Sequence, residues 1–197
     1  MKNTETVRYA KLNELAAQGG VVILGGAADR EIPLCELKQA FGLEAMLYNR
    51  SVEGISVNNA IEIYDACVAP LVPETVLLHI GEADVRLFAG DVAIFDQKYR
   101  ELVKHIRAND HRCGIVIVSL ANPDGSAEIA EMNRHLRYIA DSEQCQFGDI
   151  AARKLWNPRE TRGVMSFLNA MGLGSARHQP VYDLIRILFC SCAVRPV

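Results

Sequence analysis

The chain carries little of what would mark a specialised class. Its 6 cysteines among 197 residues are too dilute for a disulfide scaffold. No pair is spaced Cys-x-x-Cys, and no histidine spacing completes a zinc site. No apolar stretch approaches the roughly 18–20 residues that span a bilayer. The polar, amphipathic stretch from Met1 to Gln18 lacks the apolar centre of a secretion signal. Free thiols in a reducing, cytoplasmic setting are therefore expected. Positive charge is not in surplus either: 21 Lys and Arg face 24 Asp and Glu, a net charge of −3. That balance gives no electrostatic basis for binding nucleic acid. Neither a Gly-x-Gly-x-x-Gly fingerprint nor a Lys-containing phosphate loop is present. No cofactor and no metal are expected, and no internal repeat or low-complexity tract interrupts the chain.

What remains is an ordinary globular composition, half hydrophobic and 23% charged, read as one domain over residues 1–197. Its central stretch is Gly20-Val21-Val22-Ile23-Leu24-Gly25-Gly26-Ala27-Ala28-Asp29. An apolar run without alternation, bounded by glycines, predicts a strand buried on both faces, as in a parallel sheet. Further strands are expected at 45–48, 76–80, 115–120 and, at an edge, 146–150. Between them, helical spacing runs over 5–18, over 32–41 from Pro33, and from a Ser56 cap through Val57, Ile61, Tyr64 and Val68. It continues along Phe95, Tyr99, Leu102 and Ile106, and then along Ile129, Met132, Leu136 and Ile139 from near Ser126. Residues 151–178 read as irregular, and Pro180 opens a last helix. Strands alternating with helices predict an α/β fold: a flavodoxin-like, three-layer α/β/α domain with a five-stranded parallel sheet.

In such a sheet, ligands bind at the loops leaving the carboxyl ends of the strands. Three loops qualify: Gly25–Asp29, Asn49–Gly54 and Gly81–Asp84. Gly26, Asp29, Arg30, Glu53, Glu82 and Asp84 are the candidate ligand-binding residues. A cluster of carboxylates there suits sugar hydroxyls or a cationic ligand, although an Asp closing a loop commonly accepts local backbone amides instead. His79, between Leu78 and Ile80 in a strand, reads as a hydrogen-bonded core residue. His105, His111 and His135 fall on or beside amphipathic helices, and Trp156 reads as a packing anchor.

The strand and Gly-rich loop at 21–29, Tyr48-Asn49-Arg50 followed by Gly54, Leu77-Leu78-His79-Ile80-Gly81-x-x-Asp84, and a late His178 recur in a definite order. In that order the chain resembles the SGNH hydrolases, the family of GDSL esterases and lipases. The resemblance implies an ester hydrolase with a serine nucleophile after strand one, in a Gly-Asp-Ser pattern. Laid on this chain, Gly25 matches the Gly, Gly26 stands where the Asp would be, and Ala27 occupies the nucleophile position. Gly54 matches the second-block glycine whose amide completes the oxyanion hole, to which the amide at Ala27 would also contribute. Ala83 stands in place of the oxyanion Asn. In the final Asp-x-x-His block, Ser175 replaces the Asp and His178 matches the general base.

Acyl transfer needs a nucleophile beside a base, and Ala27 offers a methyl group. Losing one oxyanion donor, as at Ala83, costs about 10²–10³ in rate in comparable sites. The residues leave three readings open. One is an inactive or weakly active pseudo-hydrolase that keeps a pocket for a small-molecule, ester- or carbohydrate-like ligand. The second is hydrolysis of an ester or glycoside through relocated groups, Asp29, Glu53 and His178. The third is a flavodoxin-like scaffold unrelated to the esterases. An oligomer is compatible with all three.

Overall fold

The computed structural model describes residues 4–40, 46–122 and 124–149. The expected irregular stretch at 151–178, Trp156, Ser175, His178 and the final helix from Pro180 lie outside the described residues. The sheet is built outward from β1 (Val21–Gly25), whose five residues are all buried. Its run of apolar side chains without alternation fits a strand covered on both faces. β1 pairs in parallel with β2 (Leu47–Asn49) on one side and β3 (Thr75–His79) on the other. β4 (Gly114–Val118) and β5 (Gln146–Gly148) complete a fully parallel sheet in the order β2-β1-β3-β4-β5. Order reverses between β1 and β3, so the crevice between their carboxyl ends is the switch point where open α/β sheets bind ligands.

The helices are α1 (Thr4–Asn13), α2 (Leu34–Ala40), α3 (Ala60–Cys67), α4 (Val85–Gly90), α5 (Val92–Asn109) and α6 (Ala127–Ser142). α3, α5 and α6 turn Ile63 and Tyr64, Phe95, Tyr99, Leu102 and Ile106, and Met132, Leu136 and Ile139 inward. These meet Val22, Leu24, Val76, Leu78, Ile115 and Ile117 of the sheet in one continuous core. Burying such a side chain contributes about 1.5–3 kcal/mol. α6 starts where its sequence indicates, with the Ser126 hydroxyl accepting from the Ile129 amide.

Several boundaries differ from the sequence reading for identifiable reasons. α1 stops at Asn13 rather than 18, because that side chain is drawn into tertiary contacts: its amide donates to the Cys67 carbonyl and its oxygen takes Arg50. α3 begins at Ala60 rather than from a Ser56 cap. The Asn59 side chain accepts from the Ser56 amide (2.8 Å) and shapes a turn ahead of the helix. β2 is displaced to 47–49 by its register, Val21 opposite Leu47. The short α4 has no sequence counterpart, because six residues are too few to display a helical stripe. It ends where Asp91 caps α5 by accepting from the Ile94 amide.

Candidate active-site loops and a buried Asp–His pair

The first loop leaves β1 at Gly25 and enters a 3₁₀ turn, Asp29–Glu31. The second follows β2 through Arg50 to Gly54. The third leaves β3 and forms a 3₁₀ turn, Glu82–Asp84. Backbone bonds carry the β1–β2 pairing past the strand ends: Arg50 N donates to Ile23 O (2.8 Å) and Val52 N to Gly25 O (2.9 Å). The Ser51 hydroxyl, fully buried, accepts from Gly25 N (3.1 Å). Asn49 bonds both ways, its amide donating to Asp29 O (2.6 Å) and its oxygen accepting from Ser51 N (3.0 Å). The third loop is tied to the segment that continues the second, where the Asp84 carboxylate accepts from Val57 N (3.0 Å). The three loops are one bonded assembly at the carboxyl edge of the sheet.

Its residues divide by exposure. Ala27, Glu53, Gly54, Glu82 and Ala83 are exposed, Gly26 is half-buried, and Asp29 and Asp84 are buried. Gly54 holds a φ of +73°, a left-handed turn conformation that favours glycine by itself. Arg30 is occupied by two carboxylates, Glu5 (2.8 Å) and Glu53 (3.0 Å). Arg50 is buried, with its guanidinium bonded to Asn13 and lying about 5 Å from the Tyr9 and Tyr48 ring centres. Burial pushes the Asp84 carboxyl up to about 6, against the pull of the Val57 amide. The candidate base position His178 and its orienting position Ser175 lie outside the described residues.

His79 emerges as a residue of the site. It is the last residue of β3, opposite Gly25 in the β1–β3 register. Its Nδ1 lies 3.0 and 2.9 Å from the two Asp29 carboxylate oxygens, with both side chains under 5% exposed. Asp29 also accepts from Gly26 N (3.0 Å). Gly25 makes room for this arrangement, since a Cβ there would fall 2.0 Å from Asp29 Oδ2. Nε2 of His79 is buried and, among the described residues, has no partner within ordinary hydrogen-bond geometry. Burial opposes charge on the ring, but the charge and hydrogen bond of Asp29 outweigh it. Glu82 and the Ser119 carbonyl add to them, and the His79 pKa is raised. The sequence marks His79 as a bonded core residue; its partner becomes visible only through the strand register.

A groove of about 380 Å³ runs between α1 and α3, lined by Val7, Ala10, Glu14, Glu62 and Ile63 and reaching Glu53. Among the described residues its lining includes Glu53 of the second loop and none from β1, β3 or the loops leaving them. Among the described residues no group of His, Cys, Asp and Glu is placed to hold a metal ion, and no helix is long and apolar enough to cross a membrane.

No protein-family model and no curated protein matches this sequence. Solved structures do match. The chain is similar to a GDSL-like lipase from Bacteroides thetaiotaomicron: 16% identity over 95% of this chain and 96% of that one, with a TM-score of 0.64. It is also similar to Axe2, an acetylxylan esterase from Geobacillus stearothermophilus: 17% identity, 91% and 96% covered, TM-score 0.59. A third similar structure, the acetyl xylan esterase AlAXEase, is 15% identical, with 88% of this chain and 100% of that one covered and a TM-score of 0.60. The five-stranded parallel architecture is that of the SGNH hydrolases. At these identities the likeness is one of fold.

Proposed function

We propose that this protein is a pseudo-hydrolase on the SGNH fold: it keeps a small-molecule pocket at the β1–β3 crevice and does not run the serine-esterase reaction. The observation that carries this reading is the exposed methyl of Ala27 in the first loop, where the resemblance calls for an attacking hydroxyl. A second feature supports it. Asp29 takes the Gly26 amide for itself, which sets a carboxylate beside the place where acyl transfer builds negative charge. Ala83 adds no donor to the third loop. The retained ligand is proposed to be ester- or carbohydrate-like, a class consistent with the acetylxylan esterases among the similar structures. Gly26, Glu53, Gly54 and Glu82 would meet it, and His178 would border it.

Hydrolysis through relocated groups fares worse on the same geometry. Asp29 is committed to His79 and Gly26, and Arg30 holds Glu53. The test is turnover of short-chain aryl esters by the wild-type chain and by a triple variant, Ala27→Ser, Ala83→Asn and Ser175→Asp. Background rates for the first and saturable turnover for the second support an intact pocket without its nucleophile. Wild-type turnover lost in His178→Ala would favour relocated chemistry.

A further inference from the structure

Asp29 and His79 form a cluster of a kind that folding does not assemble for convenience. Both are ionisable, both are almost wholly buried, and they sit astride the switch point of the sheet. A buried ion pair is seldom worth more than an apolar pair of the same volume, while loss of charge on one partner leaves the other costly to keep. Asp29 reaches the cluster only because Gly25 has no Cβ, and the same carboxylate pins the Gly26 amide. One anchor of the first loop, beside those at Asn49 and Arg30, therefore depends on the charge state of one imidazole.

We propose that the Asp29–His79 pair is a proton-operated latch on the first loop: with His79 protonated the loop is held against β3, and with His79 neutral it is released.

The groups facing the ring among the described residues are few. Asp29 on the first loop bonds Nδ1. Glu82, on the third loop, adds a second negative charge; its carboxylate also lies 3.6 Å from where a Gly26 Cβ would be. The Ser119 backbone, at the exit of β4, also favours the charged form of the ring. The Ser119 hydroxyl is itself turned to Asp149 (3.4 Å), which Arg137 pairs. No lysine or arginine of the described residues hydrogen-bonds or ion-pairs with Asp29, since Arg30 is taken by Glu5 and Glu53. When His79 loses its proton, Nδ1–H can still donate to Asp29, but the charge that offset the two carboxylates is gone. Of the two elements the first loop is the one that yields: Ala27 and Ala28 are exposed and its other anchors are Asn49 on Asp29 O and the Arg30 pairs, whereas β3 is buried and paired on both sides. The sign follows from linkage. A histidine held more basic in the closed state releases its proton on opening, so closure is complete at low pH and is lost as pH rises through the closed-state pKa. This latch is independent of whether the pocket hydrolyses anything.

The experiment is hydrogen exchange on the full chain, corrected at each pH for intrinsic amide rates, alongside ¹⁵N imidazole spectra that locate the titration of His79. The amides of residues 26–31 are expected to lose protection by up to about tenfold per pH unit between about 6.5 and the His79 titration, then level off. Amides of β4 should not follow. In His79→Gln, which can still donate to Asp29 but carries no charge, the step should vanish. If that variant does not fold, the wild-type comparison decides alone. Protection of 26–31 that is flat across the His79 titration, or that falls in parallel with β4, overturns the latch. So does a step that persists in His79→Gln.

Discussion

At the scale of single residues, two buried acids do different jobs. Asp84 is 1% exposed and bonds one amide, and burial lifts its pKa from 3.8 to about 6. A carboxyl with a folded pKa above its unfolded value is less stable in its ionised form, so its contribution falls as pH rises from about 3.8 through 6. Asp84→Asn keeps an acceptor for Val57 and removes the ionisation. We expect it to raise stability by about 1–3 kcal/mol at pH 8 and by much less near pH 4, measured by urea unfolding at both pH values. Asp29 differs because it has an imidazole partner, His79, on its carboxylate. Asp29→Ala strips the partner from His79 and the acceptor from Gly26, and should cost about 3–5 kcal/mol in the same assay. The sequence reading placed both acids in the pocket loops and noted that a loop-closing Asp commonly serves local amides. What it could not reach was the Asp29–His79 contact: fifty residues separate the partners, and only the register of β1 against β3 brings them together.

At the scale of elements, β1 and α5 carry the sharpest consequences. Gly25 is the end of β1 and the gate to the first loop. Gly25→Ala would drive a methyl into the Asp29 carboxylate and should loosen residues 26–31 in hydrogen exchange while the far strands keep their protection. In α5 the Tyr99 ring is fully buried and its hydroxyl has no partner among the described residues. Tyr99→Phe removes a buried unsatisfied group and leaves the ring packing against Phe95 intact. It should be neutral or stabilising by up to about 1–2 kcal/mol in thermal or urea unfolding. Long amphipathic helices and apolar strands were legible because their periods repeat. α4 and the 3₁₀ turns at Asp29–Glu31 and Glu82–Asp84 were not, since three to six residues leave no period to read. The start of α3 was misplaced because Asn59 and Ser56 are both plausible cap residues, and only their mutual hydrogen bond decides between them.

At the scale of the whole molecule, alternating strands and helices made the parallel sheet readable, and the order of loop motifs made the SGNH likeness readable despite identities of 15–17% to the similar structures compared. The fold places three loops at one edge and joins them by hydrogen bonds. On the proposed reading, the chemistry expected of that edge depends on side chains that this chain replaces. A methyl group cannot be activated by any base, however well the loops are positioned. The measurement that bears most directly on this is intact-mass analysis after incubation with an excess of a fluorophosphonate. The account predicts an unchanged mass for the wild-type chain and a single adduct for the Ala27→Ser, Ala83→Asn, Ser175→Asp variant. Stoichiometric labelling of a serine in the wild-type chain would contradict it.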